Sequence, residues 1–151
     1  MNENLNIGNI DIVLCEDNAD EAELTIRALS KQGLADSLIH LKDGEELLHY
    51  MYCTGAYAGR NAANQPRLII LDLKMPKVDG LEVLRKLKAD TRTSMIPVVL
   101  LTSSKEEKDI KESYMLGVNS YIVKPVEFEG YVKAISTMGF YWLILNQPCQ
   151  S

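Results

Sequence analysis

The stretch RLIILDLKMPKVDG, from Arg67 to Gly80, decides how this chain folds. Four consecutive aliphatic residues, Leu68 to Leu71, lead directly into the carboxylate of Asp72, and the loop that follows contains Pro76 and ends at Gly80. A short run that is apolar throughout, without alternation, is typical of a strand buried on both faces of a parallel sheet. The stretch therefore predicts a central strand with an acid at its carboxyl end.

Similar apolar runs recur along the chain, separated by segments with helical periodicity. The further predicted strands are Ile10 to Cys15, Ile96 to Leu101, Tyr121 to Val123 and a weaker one at Ser37 to Lys42. Asn18, Asp43 and Ser104 each precede a glutamate by three positions, which predicts a helix N-cap with an acid that reaches back to it. The alternation predicts an α/β fold, with a five-stranded parallel sheet and helices on both faces.

Two segments fit this alternation less well. Residues 56–66, AYAGRNAANQP, are longer than the usual connection between a helix and a strand, so they form either an extended loop or a frayed extension of the second helix. The final helix, Glu127 to Asn146, ends in an aromatic sequence that is apolar on more than one face. We expect it to extend beyond the sheet.

Composition bounds the class of protein. The 151 residues fit a single domain, 1–151, with a core at about 10–135 and a C-terminal helical extension at 136–147. No apolar run is long enough to span a bilayer, and the N-terminus lacks the regions of a secretory signal. Three cysteines at wide spacing, Cys15, Cys53 and Cys149, form no disulfide framework, which favours the reducing cytoplasm. A net charge of −5 argues against direct nucleic-acid binding.

Polar residues follow the predicted strands at the point where each ends. Since the carboxyl ends of parallel strands share one edge of a sheet, these residues should meet in space. Clustered carboxylates repel one another unless a cation neutralises them, and Mg²⁺ prefers oxygen ligands of this kind. A lysine and a hydroxyl beside them suit a phosphoryl group carried by one carboxylate. The residues are Glu16, Asp17, Asp72, Thr102 and Lys124.

Each of these residues alone has a simpler structural explanation. Glu16 and Asp17 could simply begin a helix, where acids favour the positive end of the dipole. Asp72 at a strand end could be a loop-entry or capping acid. Thr102 could cap a helix, and Lys124 before Pro125 could mark a turn. The prediction rests on all of them falling at strand ends together.

At these residues the sequence resembles the CheY-like receiver domain of two-component response regulators. The matching segments are VLCEDNADE, LIILDLKMPKVDG, VVLLTSS and YIVKP, and the resemblance covers about Ile10 to Ile135. It implies a flavodoxin-type strand order, 2-1-3-4-5. It also implies a switch that is not an enzyme beyond self-phosphorylation and slow dephosphorylation.

The resemblance implies a role for each acid of the site. Asp72 would accept a phosphoryl group from a sensor histidine kinase. Asp17, Asp72 and the backbone carbonyl of Lys74 would bind Mg²⁺, and Glu16 would act through water.

The resemblance also implies how phosphorylation would be signalled. Thr102 and Lys124 would hold the phosphoryl oxygens, and Tyr121 would turn inward when the hydroxyl residue moves. The signal would pass to an unidentified downstream protein through the face formed by the fourth helix, which contains KEEKDIKE at residues 105–112, the fifth strand, Tyr121 to Val123, and the fifth helix, Glu127 to Asn146.

Since the receiver pattern accounts for nearly the whole chain, we expect a stand-alone regulator, similar to the small regulators paired with bacterial and cyanobacterial phytochromes. That group is often dimeric, and five consecutive apolar residues, 141–145, cannot all face one core. The predicted homodimer surface contains Phe140, Tyr141, Trp142 and Leu145. The alternative is a helix end folded over its own core.

Two other functions compete with the switch. A Mg²⁺-dependent phosphohydrolase with an aspartyl-phosphate intermediate would normally carry a second acid two residues after its nucleophile, where this chain has Lys74. A degenerate receiver that acts only as a scaffold would lack some of the motif residues. His40 and His49 lie outside the motifs and are interpreted as structural.

Overall fold

The central feature of the fold is a five-stranded, fully parallel sheet. A computed structural model describes residues 10–125 and 127–147. The strands lie in the order β2-β1-β3-β4-β5, which confirms the predicted order. Their bounds are β1 Ile12–Cys15, β2 Leu38–Leu41, β3 Leu68–Leu71, β4 Val98–Thr102 and β5 Ser120–Val123.

Helices cover both faces of this sheet, as predicted. Alternate residues of β1 point to opposite faces, so Ile12 and Leu14 pack with α1 and α5, whereas Val13 and Cys15 pack with α2 and α3. All four of these strand residues are buried, as the continuous apolar run requires. The helices are α1 Ala19–Ser30, α2 Gly44–Tyr52, α3 Gly80–Ala89, α4 Glu107–Met115 and α5 Phe128–Phe140.

Two of the three predicted N-caps are confirmed. The side chains of Asn18 and Asp43 accept hydrogen bonds from the backbone N–H groups of the glutamates three positions later, at 3.0 and 2.8 Å. The prediction for Ser104 is wrong, because α4 begins only after Glu106. The Ser104 hydroxyl instead donates to the carboxylate of Asp109 at 2.7 Å.

The loop between β3 and α3 is packed tightly against its neighbours. A side chain at Gly80 would place its Cβ 2.4 Å from the carbonyl oxygen of Asp72, so only glycine fits there. The backbone N–H of Gly80 donates to the carbonyl of Leu73 at 2.8 Å. Gly44, at the start of α2, approaches the same loop, since its Cβ would lie 2.1 Å from the carbonyl oxygen of Val78. Close backbone packing therefore holds the loop that follows the carboxyl end of β3 in one position.

The long segment before β3 is an extended loop and not a continuation of the second helix. Helix α2 ends at Tyr52, and Cys53 adopts a left-handed conformation with φ 56°. A single 3-10 turn, Gly55–Tyr57, follows. The guanidinium of Arg60 then lies 4.1 Å from the centre of the Tyr50 ring, which attaches the loop to α2.

The C-terminal helix is shorter than predicted. Helix α5 ends at Phe140, and Tyr141–Leu145 form a π-helical turn in which Asn146 donates its N–H to the carbonyl of Tyr141 at 2.7 Å. The guanidinium of Arg67 donates to the carbonyl of Leu143 at 2.7 Å, in the last turn, where backbone carbonyls have no partner within a helix. The prediction of one helix to Asn146 is therefore corrected.

Two predictions on targeting and redox state concern features of the whole chain. In the part of the chain that the structure describes, no helix combines the length and the apolar character needed to cross a membrane. Cys15 and Cys53 carry free thiols. Cys149 and the first nine residues lie outside the described residues.

Candidate phosphoacceptor and metal site

The strand register brings the predicted site residues to one edge of the sheet. Cys15 of β1 pairs with Leu71 of β3, and the backbone N–H of Asp72 donates to the carbonyl of Cys15 at 3.1 Å. At the other side, the N–H of Lys124 donates to the carbonyl of Thr102 at 2.7 Å. Backbone pairing alone therefore brings the acids, the hydroxyl and the lysine to the same edge of the sheet.

Three carboxylates converge at this edge. Glu16, Asp17 and Asp72 each offer one oxygen, and these oxygens all lie within 4.8 Å of one another. Glu16 and Asp72 are buried, with 3% and 9% of their surface exposed, whereas Asp17 is exposed. Burial, together with the nearby charge of Asp72, raises the pKa of Glu16 to about 7, although Lys124 opposes the shift. The acids therefore repel one another, and each favours a cation close to it.

The ammonium of Lys124 lies beside these acids and makes three contacts with carboxylates. It donates to Glu16 Oε1 at 2.9 Å, to Asp72 Oδ2 at 3.4 Å and to Glu21 Oε1. Burial alone would lower the pKa of Lys124, but the hydrogen bonds to Glu21 and Glu16 outweigh it and hold the pKa above its usual value. Lys124 is thus a permanently charged partner of the acids.

The hydroxyl of Thr102 connects to Tyr121 through one residue, Ser104. Thr102 is fully buried, and its Oγ1 accepts a hydrogen bond from the N–H of Ser104 at 3.3 Å. The hydroxyl of half-buried Tyr121 donates to the carbonyl of Ser104 at 3.0 Å. The loop after β4 therefore touches both residues of the predicted switch.

The sequence over residues 12–136 matches the response regulator receiver domain family. The chain belongs to this family. The match spans the whole sheet and ends within α5, so it includes every acid, hydroxyl and lysine described above.

Three similar proteins show the range of receivers that this chain resembles. The probable methanogenesis regulatory protein FilR2 of Methanothrix harundinacea is 39% identical over 136 residues, 90% of this chain and 85% of FilR2. The structure of the phosphorylated cyanobacterial phytochrome response regulator RcpA has a TM-score of 0.86 at 34% identity and covers 94% of this chain and 99% of RcpA. The bacteriophytochrome response regulator AtBRR is 48% identical, with a TM-score of 0.72, and covers 92% of this chain and 99% of AtBRR.

The residues present fit the divalent cation that receiver domains bind. A buried pair of carboxylates, Glu16 and Asp72, with exposed Asp17 beside it, supplies the hard oxygen ligands that Mg²⁺ prefers while leaving one side open to water. The backbone N–H of Lys74 donates to Asp72 Oδ1 at 3.4 Å, so the loop that carries the predicted carbonyl ligand is in contact with the acceptor carboxylate. The role of the Lys74 carbonyl itself stays a prediction.

Sequence reasoning missed one member of this receiver site, Glu21. The sequence pattern predicts only that Glu21 reaches back to the N-cap residue Asn18. In the structure the N–H of Asn18 donates instead to Glu16 Oε2 at 3.1 Å. The carboxylate of Glu21 turns to Lys124. The available signal is the set of four acids, Glu16, Asp17, Asp20 and Glu21, from the end of β1 through the first turn of α1, which is more than N-capping requires.

The two histidines make the structural contacts that were predicted for them, and three of the four residues of the predicted dimer surface are exposed. His40 Nε2 contacts the carbonyl of Glu16 at 2.8 Å, and His49 Nδ1 contacts Thr54 Oγ1 at 2.7 Å, so both histidines serve local structure. In the C-terminal turn, Trp142 is half-buried against the core. Phe140, Tyr141 and Leu145 are 45%, 48% and 62% exposed.

Proposed function

We propose that this receiver is a phosphorylatable switch in which Asp72 accepts a phosphoryl group from the phosphohistidine of a sensor histidine kinase. The observation that carries the proposal is the convergence of three carboxylate oxygens within 4.8 Å, with the Lys124 ammonium 3.4 Å from Asp72. A carboxylate oxygen of Asp72 forms the bond to phosphorus while the bond from phosphorus to the imidazole nitrogen breaks, and that nitrogen keeps the electron pair.

The residues around Asp72 favour this transfer in different ways. A bound Mg²⁺ neutralises part of the negative charge that the phosphoryl group brings to the acids. Lys124 supplies a fixed positive charge for a phosphoryl oxygen, and the buried hydroxyl of Thr102 supplies a hydrogen bond. Backbone pairing holds both residues at the edge of the sheet that carries Asp72, so each would reach the group by a movement of its side chain.

The test is incubation with acetyl phosphate and Mg²⁺, followed by intact mass measurement. We expect a single phosphate adduct that disappears when Mg²⁺ is removed and in Asp72→Asn. The matched control is Asp36→Asn, which removes an exposed carboxylate in the segment preceding β2, at the opposite edge of the sheet. A wild-type protein without an adduct, or an adduct retained in Asp72→Asn, would refute the proposal.

The output surface follows from the connection between Thr102 and Tyr121. Thr102 accepts from the N–H of Ser104 and Tyr121 donates to the carbonyl of Ser104, so a shift of the Thr102 hydroxyl toward a phosphoryl group would move the residue that binds Tyr121. Tyr121 lies on the surface formed by α4, β5 and α5, beside a groove lined by Tyr114 and Lys133. Hydrogen exchange should change on this surface upon phosphorylation, and changes confined to the loops around Asp72 would argue against it.

The cognate kinase is proposed to be of the phytochrome type. The similarity to the phytochrome response regulators AtBRR and RcpA over nearly their whole length supports this, although the chain is also similar to FilR2, a probable methanogenesis regulatory protein. Phosphotransfer from a bacteriophytochrome kinase should be much faster than from a kinase of a different sensory class. Equal rates from both kinases would leave the receiver assignment intact and remove the phytochrome link.

Homodimerisation is proposed through the exposed part of the C-terminal turn. Phe140, Tyr141, Ile144 and Leu145 are all at least 45% exposed, which is a concentrated apolar surface on a small protein. Leu145→Glu should shift a sedimenting dimer toward the monomer. Met115→Glu, which introduces the same charge at a 77% exposed position on α4, should not. A monomer in the wild type would exclude this dimer.

A further inference from the structure

Glu21 lies in the first turn of α1, where its carboxylate does not make the hydrogen bond that an acid at this position usually makes. Its N–H donates to Asn18 Oδ1 at 3.0 Å, which fixes it as the third residue of the helix. An acid at this position ordinarily bonds back to the N–H of the cap residue. In this protein Glu16 Oε2 occupies that N–H, at 3.1 Å, so the Glu21 carboxylate is available for another partner.

That partner is Lys124, and the contact completes the hydrogen bonding of its ammonium. A lysine ammonium has three N–H donors, and those of Lys124 are directed to Glu16, Glu21 and Asp72. The contact to Asp72, at 3.4 Å, is the longest of the three. The two glutamates therefore hold the ammonium on the α1 side of the phosphoacceptor.

The two glutamates differ in how readily they can release the ammonium. The side chain of Glu16 is 4% exposed and also bonded to the N–H of Asn18, so it cannot leave without stranding a buried charge. The side chain of Glu21 is 39% exposed and can turn into water. A phosphoryl group on Asp72 would bring a charge of roughly −1.5 to −2 and require a donor from Lys124.

We propose that Glu21 is a positioning residue that holds Lys124 before phosphorylation and yields it to the phosphoryl group. The inference rests on the proposed function, because it concerns the same lysine at the same acceptor. Removing the charge of Glu21 frees one donor of Lys124 and lessens the repulsion of an incoming phosphate. Phosphorylation of Asp72 should become faster by about two- to fivefold, the range expected for a partly exposed ion pair.

The test compares the wild type, Glu21→Gln and Glu23→Gln. Glu23 is on the same helix, has a side chain 61% exposed and pairs with Arg27 at 3.0 Å, so its variant loses the same charge without touching Lys124. Rates of adduct formation with acetyl phosphate are measured by intact mass at saturating Mg²⁺, which removes differences in metal affinity. Thermal unfolding checks that both variants remain folded.

A second readout reports on the contact itself. The ammonium resonance of Lys124 in the unphosphorylated protein is observed by nitrogen-15 NMR and assigned by its loss in Lys124→Arg. We expect Glu21→Gln to shift or broaden this resonance and to accelerate phosphorylation, and Glu23→Gln to do neither. A purely structural role for Glu21 would leave the resonance unchanged.

The outcomes separate this inference from the proposed function. A wild type that forms no adduct overturns both. An adduct in the wild type with a Glu21→Gln rate equal to or below it, or with an unchanged Lys124 resonance, overturns only the role of Glu21. Equal acceleration by Glu23→Gln would show a general effect of charge and would also overturn it.

Discussion

The substitution Gly44→Ala should destabilise the protein although it adds only one methyl group to a helix. The new Cβ would lie 2.1 Å from the carbonyl oxygen of Val78, 3.0 Å from the carbonyl carbon of the same residue and 2.8 Å from a methyl group of Val83. Because the nearest atoms are backbone, no side-chain rotation relieves the contact. The start of α2 or the loop after β3 must move instead.

The magnitude follows from two opposing effects. Overpacking of this kind costs about 1–3 kcal/mol. Alanine has a higher helix propensity than glycine, which returns at most about 1 kcal/mol and less at the first helical residue. We expect a net loss of roughly 1–2 kcal/mol. For a domain of this size, each kcal/mol lowers the melting temperature by about 2–4 °C.

Denaturant unfolding of the metal-free protein measures this loss, with Gly59→Ala as the control. A Cβ at Gly59 would meet no atom within 4 Å, so this variant should match the wild type or exceed it. Val78 belongs to the loop that carries Lys74, so Gly44→Ala should also weaken Mg²⁺ binding. If the two variants agree within about 0.5 kcal/mol, the loop is not fixed by α2 and the reasoning fails.

Three further perturbations test the site and the packing of the helices. Asp17→Asn should stabilise the metal-free protein by up to about 1 kcal/mol, because it relieves repulsion among the carboxylates. It should also abolish the rise in melting temperature that Mg²⁺ gives the wild type. Equal stabilisation of the wild type and the variant by Mg²⁺ would contradict this prediction. Thr93→Val should cost about 1–3 kcal/mol in urea unfolding because it deletes a buried 2.7 Å hydrogen bond to the end of α3, whereas exposed Thr91→Val should be neutral. Thr25→Val should cost more than Tyr131→Phe, because Tyr131→Phe leaves the Thr25 hydroxyl bonded to the carbonyl of Glu21 at 3.1 Å, whereas Thr25→Val removes the 2.9 Å partner of the buried Tyr131 hydroxyl. The reverse order in calorimetry would refute this.

The sheet could be predicted from sequence because each strand is an almost continuous apolar run. The boundaries were less accurate where backbone chemistry, not hydrophobicity, decides them. The run predicted from Ile96 to Leu101 begins in the structure at Val98. Ile96 is buried, but Pro97 has no N–H to donate, so regular strand pairing starts at the residue after the proline, Val98.

The missed features share a physical cause, because each depends on a partner that is remote in sequence. Serine is a residue type that N-caps favour, but the hydroxyl of Ser104 donates a hydrogen bond to the carboxylate of Asp109, which is buried in the fold. The turn after Phe140 departs from α-helical geometry where the guanidinium of Arg67, a residue 76 positions earlier in the sequence, reaches the carbonyl of Leu143. Local patterns rank the possible partners of a polar group, and tertiary packing selects among them.

The same limit applies to the charged groups around Asp72. The sequence predicts that several carboxylates and one lysine meet there, but it does not predict which carboxylate pairs with the lysine. Four carboxylates, those of Glu16, Asp17, Glu21 and Asp72, surround the single ammonium of Lys124. If all are ionised, the group carries a charge of −3, which favours binding of a divalent cation and disfavours an anionic phosphoryl donor until the cation is bound. Strand register alone determines that these groups meet. Which acid retains the lysine depends on burial, and burial fixes Glu16 while leaving Glu21 free to exchange.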